Sequence, residues 1–412
     1  MIVRRPLLQQ HRLSEREQKN LAILELIRRK GPITRTEISQ GTDLNIVTVS
    51  NYISGYIQRG LVVEKGMDVS TGGRRPTLVE LHAKKALTIG IDLGACSGAD
   101  VEMIGVVTDL AGRVEARITR QRAKASVEKI IAYAPELVEA LMAARGVDRA
   151  LVAGVGIGVS GVLDEAAGTV RDTSVDGTRT SFSGLRDSIE AKWSVPVLLG
   201  THATLAALGE MRLGLTKPAE NLAYFYGDIG CGLIINGALY WGSGGSAGQL
   251  GIARPTEDDA LTWEKSWQYL RPSGLHLGIP ERARKLLAEG VAPESKLLVL
   301  AGGQPANVTF DLIIQAARDG DALAREIIEH GAISLGVRIA YLVNLFNPDV
   351  VVLGGGVERA GSLLLEPVFR TVRRWAFEEP GSQVDLVPAQ LGADAVALGA
   401  ASLVAREVFI QA

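Results

Sequence analysis

The first forty residues carry apolar positions at helical spacing. Between residues 16 and 29, Leu21, Leu24 and Ile27 recur three residues apart, which predicts an amphipathic α-helix. A Gly-Pro pair at 31–32 ends this pattern. Thr34 and Glu37 then have the spacing of a capping box, in which the hydroxyl and the carboxylate satisfy free amides at a helix start. A second, short helix is therefore expected directly after the break.

A third helix is predicted to begin near Asn45, a good N-cap residue. Its buried face is expected to carry Ile46, Val49, Ile53 and Ile57. The residues expected on its other face are Val47, Thr48 and Asn51, with Tyr52 at the edge. Two short helices separated by a glycine turn are typical of a helix-turn-helix, whose second helix enters the major groove of DNA.

Two short apolar segments follow the third helix. Residues 61–64 and 77–81 predict the strands of a hairpin. The polar loop between them ends Thr71-Gly72-Gly73-Arg74-Arg75-Pro76, and guanidinium groups on such a loop suit phosphates or a narrow minor groove. Residues 1–84 are therefore interpreted as an α+β winged helix-turn-helix domain.

From Leu87 onward the pattern changes to apolar strands, glycine turns and helices, which favours an α/β domain. An apolar strand ends Asp92-Leu93-Gly94, and a similar one ends Asp228-Ile229-Gly230. This repeat predicts a duplicated domain with a cleft between the copies. Residues 85–200 are assigned to the first half, 201–385 to the second, and 386–412 to a segment that returns to the first.

Charge separates the same two regions. Residues 1–85 carry 15 Lys and Arg against 8 Asp and Glu, whereas the remainder carries 29 against 38. A basic N-terminal region is typical of a module that meets a polyanion, although a solvated basic face without a partner would have the same composition.

Other broad classes are disfavoured. No apolar stretch of about 18 uncharged residues could span a bilayer, and no secretory signal is recognised, so a cytoplasmic protein is expected. Cys96 and Cys231 are the only cysteines, which excludes a disulfide framework and a four-cysteine zinc site.

Several motifs resemble the ROK family of repressors, open reading frames and sugar kinases, and specifically its repressor branch. They are residues 20–60 with the loop 72–76, Gly156 to Gly161, the glycine-rich run 230–251, Val351 to Gly356, and Ala397 to Ala401. The resemblance implies an actin-like, sugar-kinase (ribonuclease H-like) α/β fold, with ATP and sugar meeting between the two halves. It also implies a homodimer or homotetramer formed through this domain.

The chain departs from the family's kinases at the catalytic position. Those kinases place the general base in an Asn-Asp pair just before a helix, and the matching residues here are Thr201 and His202. An imidazole can accept a proton, but the amide that would hold a sugar hydroxyl is also missing. We therefore expect no enzymatic activity and no catalytic residue.

The sugar-binding motif departs in the same direction. The family's Glu-x-Gly-His resembles Gln249-Leu250-Gly251-Ile252, and the cysteines of the family's zinc site are absent from 253–280. No metal and no cofactor are therefore expected. The candidate effector-binding residues are Thr201, His202, Asp228 and Gln249.

The leading hypothesis is a DNA-binding transcriptional regulator, a repressor, that works as a symmetric oligomer on a double-stranded operator. The candidate DNA-binding residues are Arg35, Asn45, Val47, Thr48, Asn51, Tyr52, Arg74 and Arg75. Among them Asn51 is expected to read a base edge, and Arg35 or Arg59 to reach phosphates. A sugar-like metabolite is the effector that the resemblance implies. Two alternatives stay open: a sugar kinase with an accessory N-terminal module, and a DNA-binding dimer that senses no ligand.

Overall fold

The computed structural model describes residues 13–67, 76–94, 100–123, 127–144, 146–164, 169–171, 179–181, 183–227, 230–250 and 277–412. The chain divides into two compact units. The first unit comprises Met1–Leu205, Ser243–Gly245 and Val396–Ala412, and the second comprises Ala206–Gly242 and Ser246–Ala395. The domain boundaries expected from the sequence stay predictions.

The N-terminal part of the first unit contains the predicted helices and hairpin. The elements are α1 (Glu15–Lys30), β1 (Ile33–Thr34), α2 (Arg35–Thr42), α3 (Ile46–Gln58), β2 (Val62–Met67) and β3 (Thr77–Leu81). The strands form an antiparallel three-stranded sheet in the order β1-β3-β2. Thr34 and Glu37 form the predicted capping box at the start of α2, and Asn45 caps α3 by accepting a hydrogen bond from the Thr48 amide.

One residue of the predicted core of α3 is exposed. Val49, Ile53 and Tyr56 form the buried face, whereas Ile46 retains 44% of its exposure. Ile46 shares the helical spacing of Val49, but it is the first helical residue, and the buried face begins one turn later. The prediction that Ile46 belongs to the core was therefore wrong.

The first unit continues as a five-stranded sheet in the order β11-β7-β4-β5-β6. Its strands are β4 (Leu87–Asp92), β5 (Asp100–Asp109), β6 (Val114–Ala123), β7 (Val152–Val159) and β11 (Val197–Thr201). A small sheet holds β8 (Val162–Asp164), β9 (Thr169–Arg171) and β10 (Arg179–Ser181). The helices are α4 (Val127–Met142), α5 (Ser183–Trp193), and α6 (His202–Gly209), which begins where β11 ends and whose residues from Ala206 onward belong to the second unit.

The second unit repeats this topology. Its sheet has the order β14-β13-β12-β15-β16, with strands β12 (Leu222–Tyr226), β13 (Gly230–Ile235), β14 (Ala238–Leu239), β15 (Val350–Gly354) and β16 (Asp385–Pro388). In both sheets the first three strands in sequence are antiparallel, and the last two run parallel to the first. The helices are α7 (Ile279–Ala288), α8 (Lys296–Leu300), α9 (Phe310–Arg318), α10 (Ala322–Phe346), α11 (Ser362–Trp375) and α12 (Glu378–Gln383). The shared strand order agrees with the internal duplication expected from the sequence.

Helix α13 (Ala395–Ile410) packs closely on the sheet of the first unit. A Cβ atom at Gly90 of β4 would overlap the carbonyl oxygen of Ala397, and one at Gly156 of β7 would overlap that of Ala400. Glycine is required at both positions because the helix backbone lies directly against the strands. The far end of α13 carries Phe409, which is fully buried in the same apolar core as α1 and α3.

Asn20 of α1 joins the N-terminal helices to the end of α13. Its side chain is 1% exposed, and its amide nitrogen donates hydrogen bonds to the carbonyl oxygens of Ile410, at 3.0 Å, and Ala412. The Tyr56 hydroxyl donates to the Asn20 carbonyl oxygen at 2.7 Å. Burial raises the pKa of Tyr56, so this phenol remains a neutral donor. One buried amide on α1 therefore satisfies groups from two other segments, α3 and the end of α13.

We expect Asn20→Ala to destabilise the protein by about 2 to 4 kcal/mol, because it leaves a buried hydroxyl and buried carbonyl groups without their partner. Urea unfolding monitored by circular dichroism measures the loss. The matched control is Asn51→Ala, since Asn51 is an exposed asparagine on α3 and its removal should change stability by less than about 0.5 kcal/mol. Equal stability of the two variants would contradict this role for Asn20.

A buried carboxylate organises the second unit. Glu210 is fully buried, and its Oε1 atom accepts hydrogen bonds at 2.8 Å from the backbone amides of Gln390 and Leu391. Burial raises the pKa of Glu210, the two amide hydrogen bonds oppose that rise, and the nearby Glu358 carboxylate adds to it. Burial likewise raises the pKa of Glu358. The folded chain therefore retains a proton on Glu210 to higher pH than the unfolded chain does.

This shift has a defined sign. A carboxyl group whose pKa is raised by folding makes the folded state lose stability as pH rises from the ordinary glutamate value through the raised one. Glu210→Gln retains an acceptor oxygen but cannot ionise. We expect its melting temperature, relative to the wild type, to increase between pH 4.5 and pH 7.5. A difference that is constant with pH, measured by differential scanning calorimetry, would show that Glu210 does not titrate in this way.

Candidate nucleic-acid interface and effector site

The exposed side of α3 presents most of the predicted DNA-reading residues. Val47 is 67% exposed, Asn51 is also exposed, and Thr48 and Tyr52 are half-buried. Asn45 is exposed but its side-chain oxygen caps the helix. Val47, Thr48 and Asn51 follow one another at one- and three-residue steps, so they share one side of the first two turns. A base edge in a groove could meet that side directly.

The arginines predicted to contact DNA differ in their surroundings. Arg35 Nη2 lies 3.3 Å from Glu64 Oε1, so this guanidinium links α2 to β2 through a partly exposed ion pair. Such pairs contribute little to stability, and a phosphate could compete for Arg35. The guanidinium of Arg59 lies over the Tyr56 ring, 5.4 Å from its centroid. Arg74 and Arg75 lie outside the described residues.

In the first unit, the predicted effector residues Thr201 and His202 lie where β11 ends, at the same edge of the sheet as the end of β4. His202 follows β11 and Asp92 ends β4, and the His202 Nε2 atom is 3.1 Å from Asp92 Oδ1. Both side chains are buried. Asp92 Oδ1 also accepts a hydrogen bond from the Gly94 amide at 2.8 Å, which supports the turn after β4.

The contact between His202 and Asp92 was missed in the sequence. The sequence does contain a signal for this contact. Asp92 is the last residue of β4 and His202 follows β11, and these two strands run in the same direction in one sheet, so their carboxyl ends lie at the same edge. Thr201, also buried, donates its hydroxyl hydrogen to Thr204 Oγ1 at 2.9 Å. At this site, therefore, Nε2 of His202 faces the Asp92 carboxylate, and the neighbouring Thr201 hydroxyl donates to a residue in the first turn of α6.

The other two predicted effector residues, Gln249 and Asp228, do not belong to the first unit. Gln249 belongs to the second unit, where it is exposed and its backbone bridges Gly230 in an antiparallel sense. Asp228 lies outside the described residues. Of the four predicted effector residues, Thr201 and His202 are therefore neighbours in the first unit, where His202 also contacts Asp92.

No cluster of three metal-binding side chains occurs among the described residues. Most of the segment in which the family's zinc cysteines would occur, 251–276, lies outside them. Within the described chain, no helix is long and apolar enough to cross a membrane. Cys231 is buried beside β12, and burial raises the pKa of its thiol.

These features define a class of protein in which a small module of helices and a three-stranded sheet precedes a duplicated α/β domain. The chain belongs to the ROK family, whose family model matches residues 88–407. The matched span covers both five-stranded sheets and excludes the N-terminal module.

Relatives match over different lengths. The xylose repressor of Caldicellulosiruptor bescii is 29% identical over 395 residues, covering 94% of this chain and 95% of its own. A ROK family transcriptional regulator described as a homologue of the Escherichia coli MLC protein has the same fold, with a TM-score of 0.73 at 19% identity, over 96% of this chain and 97% of its own. A ROK family glucokinase from Streptomyces griseus, solved with glucose and AMPPNP, is 29% identical with a TM-score of 0.62, over 77% of this chain and 99% of its own.

Proposed function

We propose that this chain is a sequence-specific DNA-binding transcriptional regulator, a repressor, with a ROK domain that does not catalyse phosphoryl transfer. The observation that carries the proposal is the difference in coverage. The xylose repressor matches 94% of the chain, including the N-terminal module, whereas the glucokinase is matched along 99% of its own length by only 77% of this chain. The part of this chain that the glucokinase does not match therefore has a counterpart in the xylose repressor.

The N-terminal module functions, in this proposal, as a winged helix-turn-helix. Helix α3 enters the major groove with Val47, Thr48 and Asn51 towards base edges, and Asn45 and Tyr52 flank them. Arg35 meets a phosphate, and Arg74 and Arg75 on the wing loop enter the minor groove. The net charge of residues 1–85, with 15 basic against 8 acidic side chains, supports this orientation towards DNA.

The chemistry of the effector domain supports sensing over catalysis. Phosphoryl transfer to a hydroxyl needs a general base that accepts the hydroxyl proton, and the kinases that this chain resembles use a carboxylate. His202 occupies that position, and its Nε2 atom is 3.1 Å from Asp92 Oδ1. Asp92 thereby faces an imidazole in addition to the Gly94 amide. Both groups therefore have partners within the protein, and His202 stands where the kinases have their carboxylate.

The proposed ligand of the domain is a sugar-like metabolite. One relative is named for xylose, and another was solved with glucose bound; the candidate contacts here are Thr201, His202, Asp228 and Gln249. A ligand controls DNA binding only if it binds two states of the protein unequally. The protein acts as a homodimer or homotetramer in the cytoplasm, because a two-fold operator requires paired reading heads.

The DNA-reading assignment predicts two different mutant phenotypes. Asn51→Ala should relax specificity by roughly 1 to 3 kcal/mol at one base pair, whereas Arg74→Ala should weaken binding to all sequences alike. Selection from random duplexes defines the preferred site, and fluorescence anisotropy then measures each variant on matched and mismatched duplexes. Lys285→Ala, which removes an exposed charge from the second unit, is the control and should bind normally. Wild-type binding and specificity in both test variants would refute the assignment.

The non-catalytic assignment predicts binding without turnover. With ATP, Mg²⁺ and a panel of pentoses and hexoses, we expect no sugar-dependent ADP formation, while the correct sugar raises the melting temperature by mass action. His202→Ala should abolish that thermal shift, and the exposed His330→Ala control should retain it. Sugar-dependent ADP release that His202→Ala removes would instead identify a kinase.

A further inference from the structure

Helix α3 begins with two exposed apolar side chains. Ile46 is 44% exposed and Val47 is 67% exposed, and they are the first two residues of the helix. Among the described residues up to position 94, they are the two large apolar side chains that remain exposed. The buried face of the helix begins only at Val49, so the core of the module leaves much of this pair uncovered. We call Ile46 and Val47 the α3 tip.

The backbone at the α3 tip is held in place by the turn before it and by its cap. Asp43 has a left-handed backbone conformation, and the carbonyl oxygen of Leu44 accepts a hydrogen bond from the Ser39 hydroxyl. Leu44 also packs against the apolar core of the module. The Asn45 side-chain oxygen accepts a hydrogen bond from the Thr48 amide at 2.8 Å and closes the first turn. A fixed backbone therefore presents the two apolar side chains, which lowers the entropy cost of a contact.

Helix α3 carries no charged side chain. From Leu44 to Gln58 the sequence contains no Arg, Lys, Asp or Glu. The commonest specific contact to a base is an arginine or lysine on guanine, and glutamate or aspartate accepts a hydrogen bond from cytosine. This helix can make neither contact. It offers neutral hydrogen-bonding groups, such as the exposed Asn51, and the apolar α3 tip, so its chemistry favours adenine and thymine.

Thymine presents an apolar group that would cover the α3 tip. In the major groove its C5-methyl group is contacted by apolar side chains, whereas the other bases are distinguished there by their hydrogen-bonding atoms. The charge of the module favours DNA over an apolar protein surface as the partner, since residues 1–85 carry 15 basic against 8 acidic side chains. Arg35 and Arg59, on either side of the uncharged segment in sequence, supply part of that charge.

We propose that Ile46, together with Val47, reads the C5-methyl groups of thymine, and that the preferred half-site is therefore rich in A·T pairs. The inference rests on the proposed function, because it requires α3 to enter the major groove. Val47 and Asn51 are four residues apart, about 6 Å along the helix axis, and base pairs are about 3.4 Å apart. A thymine methyl and an adenine, the base that asparagine reads, should therefore lie within about two base pairs of each other.

Replacement of thymine by uracil tests the contact on the DNA side, because it removes the methyl group and keeps the hydrogen-bonding edge. Selection from random duplexes gives the preferred site. Each thymine is then replaced in turn by uracil, and fluorescence anisotropy measures the affinity of the full chain. We expect one or two positions at which the wild type loses about fourfold in affinity, the value of one buried methyl group, and no change elsewhere.

Side-chain variants assign these positions to residues. Ile46→Ala should bind the preferred site more weakly than the wild type and lose its response to uracil at one of these positions. Val47→Ala should lose the response at that position or at its neighbour. Loss of the response identifies a direct contact, because groups that do not meet change affinity independently. The matched control is Val299→Ala, which shortens an exposed valine of the second unit and should retain every wild-type response.

A methylated cytosine gives a second, independent measurement. At the position assigned to Ile46, replacement of T·A by C·G should weaken binding by the wild type. Methylation of that cytosine at C5 restores the apolar group alone, and we expect it to recover about fourfold in affinity for the wild type but nothing for Ile46→Ala. Circular dichroism verifies that Ile46→Ala is folded, as expected from the exposure of this side chain.

The outcomes separate this inference from the proposed function. A selected site in which no thymine responds to uracil overturns the inference, as does an Ile46→Ala chain that responds like the wild type at every position. A preferred half-site composed of G·C pairs overturns it too. In each of these cases the protein still binds a defined DNA sequence, so the proposed function stands. A wild type that selects no duplex would instead refute the proposed function, and with it any reading of bases by α3.

Discussion

The close contact of α13 with the first sheet is the constraint on which the arrangement of the first unit depends. At Gly90 and Gly156 the strands have no side chain towards the helix, and the backbone of α13 occupies that space. A helix so close to a sheet has few alternative positions, since a shift of either surface would create overlap or a cavity. The same helix ends with Phe409 inside the core that α1 and α3 share. The proposed DNA-reading helix therefore shares an apolar core with the end of α13, the helix whose backbone lies against the sheet.

Two buried polar side chains act on the segments at the ends of α13. Glu210 holds the amides of Gln390 and Leu391, shortly before the helix begins, and Asn20 holds the carbonyls of Ile410 and Ala412 at its far end. Buried polar groups are costly unless they are hydrogen-bonded, so each fixes one backbone arrangement in a way that apolar packing alone would not. In both cases a side chain from a remote part of the sequence determines where the segment lies.

Local signals and the internal repeat predicted the helix caps and the duplicated sheets, whereas contacts between single residues far apart in sequence were not predicted. The capping box of Thr34 and Glu37 and the cap of Asn45 were confirmed because each interaction is complete within four residues. The prediction that Ile46 is buried was wrong because helical periodicity indicates which residues share a face, but not where along the helix the packing partner begins. The contact of His202 with Asp92 and that of Asn20 with α13 join residues far apart in sequence, and a strand-order argument could anticipate only the first.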